Sequence, residues 1–253
     1  MAKMKVLVTG MNGRIGRALL RYLGTKYDFT ALNRRPMEGV PSVTADITDF
    51  ETIRPHLDGK DAVVHLAASL SEVEDVNGLL GSNIWGTYHI FEAARQAGVR
   101  RVVFASSGSV ILGYAQESPL RELENGEYNK LPGVWPLLTH ESAVRPNSLY
   151  GCSKIWGEAL GRYYHDSYGL SVICVRFGWV PADDHPGPAP RTYSVWCSHR
   201  DASQMVDKCL TAPESLGFDI VFAVSDNKYS YRDVTHAREV VGYQPQDRAE
   251  DYR

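Results

Sequence analysis

The 253-residue sequence lacks several features that would assign it to a specialised class of protein. No apolar stretch approaches the ~20 residues that a membrane-spanning helix needs, and a strand-like run stands where a signal peptide would be. The net charge is only −3, without a basic stripe or an acidic tail, so nucleic acid is not an expected partner. These absences predict a cytoplasmic protein with neither a nucleic-acid nor a membrane partner.

Cysteine is scarce, and no two of the four cysteines have the C-x-x-C spacing typical of metal or redox sites. Cys152, Cys174, Cys197 and Cys209 lie in apolar or helical contexts. We therefore expect reduced thiols and no bound metal.

A glycine-rich turn stands between the first predicted strand, residues 4–8, and a helical pattern that runs to Leu23. The turn reads Thr9-Gly10-Met11-Asn12-Gly13-Arg14-Ile15-Gly16, one residue longer in spacing than the general dinucleotide fingerprint G-x-G-x-x-G. Gly10 would make the turn, Gly13 would admit phosphates close to the backbone, and Gly16 would let the helix pack on the strand. This arrangement favours a dinucleotide site, although a tight connection alone would have the same glycines.

Apolar runs and helical patterns alternate along most of the chain. We predict further strands at 29–32, 62–66, 101–105, 171–176 and 220–223. We predict further helices at 50–57, 83–97, 150–168, 201–210 and 231–241. This alternation is typical of a Rossmann-type α/β fold, a doubly wound parallel sheet covered by helices on both faces.

The pattern changes after Gly178, where a proline-rich loop at 181–190 interrupts the alternation. We therefore divide the chain into a dinucleotide-binding core, residues 1–177, and a small C-terminal substrate lobe, residues 178–253, interleaved with the core. A second irregular segment, 113–146, is rich in proline, glycine and glutamate. Long loops of this kind inside compact enzymes are often functional.

Two sets of polar residues point to chemistry on a hydroxyl group. Tyr150 and Lys154 stand four residues apart at the start of a predicted helix, and an ammonium beside a phenol favours the phenolate. Such a pair can remove a hydroxyl proton while hydride leaves the carbon. Ser106 and Ser107 follow a predicted strand, at the edge where parallel sheets bind ligands. Taken singly, a tyrosine–lysine pair or a serine turn is also common on any protein surface.

Five short motifs follow one another along nearly the whole chain: Thr9-Gly10-x-x-Gly13-x-x-Gly16, His65-Leu66-Ala67-Ala68, Asn83-x-x-Gly86-Thr87, Ser106-Ser107 and Tyr150-x-x-x-Lys154. Together they resemble the extended short-chain dehydrogenase/reductase family, of the NAD-dependent epimerase/dehydratase type. The resemblance implies Tyr150 as general acid/base, Lys154 on the nicotinamide ribose and Ser107 on the substrate oxygen. It also implies a cofactor site made of Gly10, Asn12, Gly13, Arg14, Ile15, Gly16, Asp46, Ile47, Leu66, Ala67, Ala68 and Asn83.

Within that family the sequence is most similar to uronate dehydrogenases and related sugar-phosphate dehydrogenases, which oxidise the anomeric carbon. The segments that carry this likeness are 104–107, 145–151, Arg191 and 196–201. It implies that Arg191 faces an acidic group of the sugar, since a guanidinium suits carboxylate, phosphate or sulfonate. The implied substrate residues are Ser69, Ser71, Gly108, Ser109, Trp179 and Arg191.

Two departures bear on the identity of the sugar. Gly108-Ser109 stands where uronate dehydrogenases have Asn-His, and Trp179 replaces a small polar residue. The side chains that would contact sugar hydroxyls are therefore missing. We expect an anionic sugar with a shape different from a simple uronate.

The residues after the second predicted strand bear on the choice of cofactor. NAD enzymes usually have an acidic residue there to bind the ribose 2′-hydroxyl. This chain has Asn33, Arg34 and Arg35, which remove repulsion and offer partners to a 2′-phosphate. We expect NADP or NAD and favour NADP.

The sequence thus predicts NAD(P)-dependent oxidation of the C1 hydroxyl of an anionic aldose to the aldonolactone. The aldose would be a uronate, a sugar 6-phosphate or a 6-sulfo sugar. A nucleotide-sugar epimerase or dehydratase is the first alternative, although the region after Gly178 is short for a nucleotide-binding lobe. A non-catalytic NAD(P)-sensing protein is the second, although such relatives typically lack the tyrosine–lysine pair. The resemblance also implies a homodimer formed by the helices at 83–97 and 150–168.

Overall fold

The computed structural model describes residues 2–70 and 75–252. Within these residues seven strands form one sheet, and every pair of neighbouring strands is parallel. The strands are β1 Lys5–Thr9, β2 Asp28–Asn33, β3 Ser42–Thr44, β4 Ala62–His65, β5 Arg101–Ser107, β6 Ser171–Phe177 and β7 Phe218–Ala223. Their order across the sheet is β3-β2-β1-β4-β5-β6-β7, which confirms the predicted doubly wound fold.

Helices cover both faces of this sheet. In the described part of the chain the α-helices are α1 Arg14–Leu23, α2 Phe50–Ile53, α3 Val76–Leu80, α4 Thr87–Gln96, α5 Leu120–Asn125, α6 Leu149–Tyr168, α7 Thr192–Val195, α8 His199–Thr211 and α9 Thr235–Val241. One apolar core packs α1 and α8 against the sheet, and a second core on the opposite face packs α4 and α6. Because both faces are covered, central strands such as β6 are buried along their whole length.

The direction of the chain reverses at the centre of the sheet. From β1 the chain continues to β2 and β3 on one side, and it then returns to build β4 to β7 on the other. The loops that leave β1 and β4 therefore diverge and leave a crevice at the carboxyl edge, where such sheets bind ligands. The turn that starts at Gly10, the segment that starts at Leu66 and the end of β5 at Ser107 all meet there.

Most predicted elements lie within a few residues of their observed bounds, but one strand and the short helices α5 and α7 were not predicted, and two predicted helices begin elsewhere. Strand β3 was not predicted, because it has only three residues. The helix predicted at 83–97 begins at Val76 and passes through a π-helical segment, Gly81–Gly86, before α4. The helix predicted at 231–241 begins only at Thr235.

The residues before α9 are extended because they pair with another loop. The Leu138 N–H donates to the Tyr231 carbonyl at 2.7 Å, and the Asp233 N–H donates to the Leu138 carbonyl at 2.9 Å. The Asp233 carboxylate then accepts the N–H of Thr235, where the helix begins. Tertiary pairing therefore overrides the helical pattern at 231–234.

The C-terminal part of the chain, after Gly178, contributes a strand and a helix to the core of the α/β fold. Strand β7 pairs with β6 over its full length, and α8 packs against α1. The irregular segment 113–146 contains α5 and packs its apolar side chains against Tyr231. The segments between these elements reach the crevice from the C-terminal half. The division into a core and a substrate lobe at residue 177 stays a prediction.

Candidate active site

A cavity of about 440 Å³ opens at the carboxyl edge of the sheet. We call the part lined by Gly10, Gly13 and Gly16 the glycine wall. We call the part lined by Gly108, Trp179, Arg191 and Arg232 the arginine wall. Ser107, Tyr150 and Lys154 line the same cavity. The structure thus brings the three predicted catalytic residues and part of the predicted cofactor and substrate sets to one cavity.

The charge of the cavity is one-sided. Among the described residues that line it, the charged ones are Arg14, Lys154, Arg191 and Arg232, and none is an aspartate or a glutamate. A concave site with positive charge and apolar walls focuses its field on an anion. The cavity therefore suits a ligand with negative charge.

The glycine wall is a backbone surface that side chains would obstruct. Gly10 has φ +68°, and a Cβ there would lie 2.7 Å from the Ala67 nitrogen. A Cβ on Gly16 would collide with the backbone of Met11. Gly13 stands at the N-cap of α1 and has no side-chain cap, so the first N–H groups of that helix are free to meet an anion.

Buried hydroxyl groups hold the segment after β4 against this wall. The Ala67 N–H donates to the Thr9 hydroxyl at 3.2 Å, and that hydroxyl lies 2.7 Å from His65 Nδ1. The other ring nitrogen, His65 Nε2, lies 3.2 Å from the Thr87 hydroxyl. Burial lowers the pKa of His65 to about 3, with a smaller effect from Lys154, so the ring is neutral, with one nitrogen as donor and the other as acceptor.

The predicted ribose-binding residues lie at the end of β2. The Asn12 N–H donates to Asn33 Oδ1 at 3.2 Å, which orients the Asn33 side chain. Asn33 is buried, and its Nδ2 has no hydrogen-bond partner among the described residues. Arg34 and Arg35 are exposed. The end of β2 thus presents one unpaired donor beside two exposed cations.

Other predicted cofactor residues are occupied by contacts within the protein. The Asp46 carboxylate accepts from the N–H and the hydroxyl of Thr48. Ile47 is buried beside Gly86, where a Cβ would collide with its side chain. Asn83 accepts from the Ser69 N–H at 2.8 Å and donates to the Ser69 carbonyl at 2.9 Å.

Asn83 also donates to the Ser153 hydroxyl at 3.0 Å. This buried amide therefore connects the segment after β4 to α6. Its contacts are those of a positioning residue, because both ends of the amide are used inside the protein.

The predicted catalytic group is formed by α6 and the end of β5. Ser148 caps α6 by accepting the Gly151 N–H at 3.0 Å, which sets the position of the first turn. The Lys154 Nζ donates to the Ala105 carbonyl at 2.8 Å and lies 5.5 Å from the centre of the Tyr150 ring. Ser107 hydrogen-bonds to the Tyr150 hydroxyl.

Burial acts on the pKa of both ionisable groups. It raises the pKa of Tyr150 to about 12, and the hydrogen bond from Ser107 acts in the opposite direction. It lowers the pKa of Lys154 to about 8, and the charge of Glu158 opposes that change. The direction at Tyr150 is opposite to the lowering that we expected from the lysine, because desolvation of the phenolate is the larger effect.

A buried ion pair below the lysine was not predicted. Glu158 forms a two-point pair with Arg176, with nitrogen–oxygen distances of 2.8 Å, and also accepts from the Ser106 hydroxyl at 2.6 Å. The sequence did indicate that Glu158 lies near Lys154, because the two residues are four apart on one helix. This network holds α6 against β5 and β6 and places a negative charge near Lys154.

The arginine wall contains a predicted and an unpredicted cation. Arg191, predicted to face the substrate, pairs with Glu124 at 3.0 Å, and its side chain is 54% exposed. Trp179 is fixed through its backbone, whose N–H donates to the Val195 carbonyl. Arg232 is buried and lines the cavity, although its sequence context indicated only a helix.

Comparison with known proteins supports the same reading of the fold and the motifs. The profile of the family described as "NAD dependent epimerase/dehydratase family" matches residues 6–241. The chain belongs to this family.

Relatives in the family include named sugar dehydrogenases. An NAD-dependent glucose-6-phosphate dehydrogenase of Haloferax volcanii is 35% identical, over 98% of this chain and 95% of the relative. An L-arabinose 1-dehydrogenase (NAD(P)(+)) of the same organism is 32% identical, over 96% of each chain. The crystal structure of a uronate dehydrogenase from Agrobacterium tumefaciens is 31% identical and superposes with a TM-score of 0.80, over 100% of this chain and 88% of that one.

Many of the site residues that we predicted for this chain line the cavity. Lining it are Gly10, Gly13, Arg14, Ile15, Gly16, Leu66, Ala68, Ser107, Gly108, Ser109, Tyr150, Lys154, Trp179 and Arg191. Nine predicted residues do not line it, namely Asn12, Asn33, Arg34, Arg35, Asp46, Ile47, Ala67, Ser69 and Asn83. Ser71 lies outside the described residues.

Within the described ranges, no helix is long and apolar enough to cross a membrane. The same residues contain no cluster of His, Cys, Asp and Glu side chains with the arrangement of a metal site.

Proposed function

We propose that this protein oxidises the C1 hydroxyl of an anionic aldose to the aldonolactone, with a nicotinamide dinucleotide as hydride acceptor. The observation that carries the proposal is the cavity that combines Ser107, Tyr150 and Lys154 with a lining whose described charges are all positive. The names of its relatives, which include dehydrogenases of glucose 6-phosphate, arabinose and uronate, support the sugar as substrate class.

The residues of the glycine wall fit a dinucleotide. The absence of a Cβ at Gly10 and Gly16 and the uncapped start of α1 provide the close approach and N–H groups that a pyrophosphate needs. Leu66 and Ala68 line the cavity where the cofactor ribose would lie. Asp46 and Ile47 would border the adenine, and Asn83 would hold the segment at 66–69 in place.

We infer that the cofactor is NADP in preference to NAD. NAD enzymes usually have a carboxylate at this position, which accepts a hydrogen bond from the ribose 2′-hydroxyl. This chain has Asn33 instead, and its Nδ2, which has no partner among the described residues, is a hydrogen-bond donor. Arg34 and Arg35 would supply charge to a 2′-phosphate, and Asn12 would hold Asn33 in position.

The proposed chemistry assigns each proton to a named group. A nicotinamide dinucleotide bound along the glycine wall supplies the hydride acceptor. Tyr150, as phenolate, takes the proton of the C1 hydroxyl when the C1–H bond breaks and the carbonyl of the lactone forms. Ser107 donates to the reacting oxygen, and the charge of Lys154 favours the phenolate. The charge of Glu158 opposes the effect of burial on the pKa of Lys154 and so favours its charged form.

On the substrate side we propose that Arg191, Trp179 and Ser109 border the sugar. Ser109 and Ser107 are already joined by a hydrogen bond of 3.1 Å between their hydroxyls. Ser69 and Ser71 complete the proposed substrate set. Gly108 lies against the guanidinium of Arg232, which a Cβ there would meet at 2.9 Å.

We also propose a homodimer and a cytoplasmic location. Exposed aromatic side chains on α6, at Tyr163 and Tyr168, and Trp85 in the π-helical segment before α4 would form a homodimer interface. The cysteines are free thiols, which suits a reducing compartment such as the cytoplasm. Light scattering at several protein concentrations tests the dimer.

The central test is reduction of NAD or NADP, followed by absorbance, with a panel of uronates, aldose 6-phosphates, 6-sulfo sugars and neutral aldoses. We expect reduction with anionic aldoses and the lactone as first product. No reduction with any free sugar, together with a dinucleotide that copurifies with the protein, would contradict the proposal and favour an epimerase or a sensor.

A further inference from the structure

The described residues include three buried arginines, and their surroundings differ. Arg101 donates to the Ser171 hydroxyl and to three backbone carbonyls, at 2.7 to 3.0 Å. Arg176 has the carboxylate of Glu158. Arg232, only 4% exposed, has a long hydrogen bond of 3.4 Å to the Ser194 carbonyl and a hydrogen bond to the Tyr231 hydroxyl. Its Nε has no hydrogen-bond partner within residues 2–70 and 75–252.

Among the described residues the charge of Arg232 also has no counterion. None of the ion pairs among the described residues includes it, and its guanidinium lies against the ring of Tyr231, 4.6 Å from the ring centre. A buried cation that lacks both a carboxylate and a full set of acceptors is costly to fold. Such a cost is typical of a group that is prepared for a ligand. Because Arg232 lines the cavity, an anion in the cavity would relieve it.

Arg191 offers a poorer anchor on the same wall. Its Nε already pairs with Glu124 at 3.0 Å, and more than half of its side chain is exposed. An incoming anion would compete with Glu124 and with water for this cation. Glu124 also accepts from the Tyr231 hydroxyl at 2.7 Å, which holds it in place.

Gly108 makes room for the guanidinium of Arg232. A Cβ at position 108 would lie 2.9 Å from both the Nε and the Nη2 of Arg232. Gly108 has no left-handed φ, so alanine would not strain the backbone there but would displace the guanidinium. A glycine at 108 and an arginine at 232 therefore form a matched pair.

We propose that the guanidinium of Arg232 binds the acidic group of the sugar and that Gly108 is required for its position. This inference rests on the proposed function and identifies the residue that selects anionic over neutral aldoses. A guanidinium fork suits a carboxylate, a phosphate or a sulfonate.

The test compares Arg232→Gln, Gly108→Ala and Arg191→Gln, with Arg162→Gln on the exposed side of α6 as control. The readout is the ratio of kcat/KM for an aldose 6-phosphate to kcat/KM for the same neutral aldose. We expect Arg232→Gln to lower this ratio about 10- to 100-fold, Gly108→Ala to lower it less, and Arg191→Gln to lower it only a few-fold. The control should leave the ratio unchanged.

Binding of inorganic phosphate, measured by calorimetry with saturating dinucleotide, gives a second readout that does not depend on turnover. We expect Arg232→Gln to weaken this binding about tenfold or more. If Arg232→Gln does not fold, the ratio and the phosphate affinity of Gly108→Ala decide, because that variant displaces the same guanidinium.

Sugar oxidation with an unchanged ratio and unchanged phosphate binding in these variants would overturn the inference and leave the proposed function intact. The whole loss of selectivity in Arg191→Gln would overturn it as well. Phosphate binding that depends on Arg232, in a protein that oxidises no sugar, would instead support the anion site and contradict the proposed function.

Discussion

The two walls of the cavity are built in different ways. The glycine wall consists of backbone from a short stretch, 10–16, held by a second short segment after β4. The arginine wall consists of the side chains of Trp179, Arg191 and Arg232 beside Gly108, and these positions are far apart in sequence. A backbone surface depends on where side chains are missing, so local glycine spacing encodes it. A side-chain surface depends on burial and partners, which are properties of the folded chain.

This difference also separates binding from selection. Backbone N–H groups at a helix start recognise phosphate in any dinucleotide, whereas a buried guanidinium discriminates between ligands by charge. The catalytic residues on α6 and β5 act on the ligands that the two walls hold. Variants in the three regions should therefore have separable effects.

Tyr150→Phe should have the largest effect, because it removes the proposed acceptor of the C1 hydroxyl proton. We expect kcat to fall about 10²- to 10⁴-fold, while the affinity for the dinucleotide stays close to that of the wild type. Tyr163→Phe, at an exposed tyrosine of the same helix, is the matched control. Stopped-assay kinetics and a dinucleotide titration measure the two quantities. A Tyr150→Phe variant with wild-type kcat would exclude the proposed base.

Gly10→Ala should disrupt the glycine wall alone. Both Gly10 and Gly98 have φ +68°, but a Cβ would meet the Ala67 backbone only at Gly10 and has open space at Gly98. We expect Gly10→Ala to weaken dinucleotide binding about 100-fold. Gly98→Ala should cost about 1–2 kcal/mol of unfolding free energy and leave the affinity unchanged. Equal affinities of the two variants would remove the special role of the glycine wall.

Asn33→Asp should change cofactor choice without changing the sugar. A carboxylate there repels a 2′-phosphate and accepts from a 2′-hydroxyl, so we expect kcat/KM with NADP to fall about tenfold relative to NAD. Asn129→Asp, at an exposed position far from β2 in sequence, is the control. The ratio of the two kcat/KM values is the measurement, and an unaltered ratio would mean that Asn33 does not face the ribose.

The pH profile of oxidation should separate Tyr150 from Lys154. Burial raises the pKa of Tyr150 to about 12, so the phenolate fraction, and with it kcat/KM, should rise about tenfold per pH unit below pH 8. Because the pKa of Lys154 is about 8, its charge is lost above that pH as fast as phenolate is gained, and the profile should level off.

Lys154→Arg keeps a positive charge at every pH in this range, so its profile should continue to rise above pH 8. A plateau at the same pH in this variant would show that another group causes it.

Local sequence carried most of the fold and one wall of the site. Apolar runs without alternation indicated strands buried on both faces, as β6 is, and the glycine spacing located the turn after β1. The tyrosine–lysine pair could be placed on one helix face from its spacing alone. Such features are recognisable because their partners lie within a few residues.

The errors and omissions arose where the partner is distant in sequence. The 231–241 helix was predicted four residues too long at its start, because Tyr231 and Asp233 pair with Leu138. The pKa of Tyr150 was expected to fall with Lys154 nearby, but burial, which the sequence does not reveal, is the larger effect.

The sequence by itself determined the doubly wound sheet, the dinucleotide turn and the positions of Ser107, Tyr150 and Lys154 in their elements. Only the tertiary structure decided which cations are neutralised. It gives Arg191 the carboxylate of Glu124, gives Arg176 that of Glu158, and leaves Arg232 buried beside Gly108 with no carboxylate partner in the part of the chain that the structure describes. The physical reason is that the free energy of a charge depends on its solvation and its counterion, and both are set by residues that the fold brings together from distant parts of the chain.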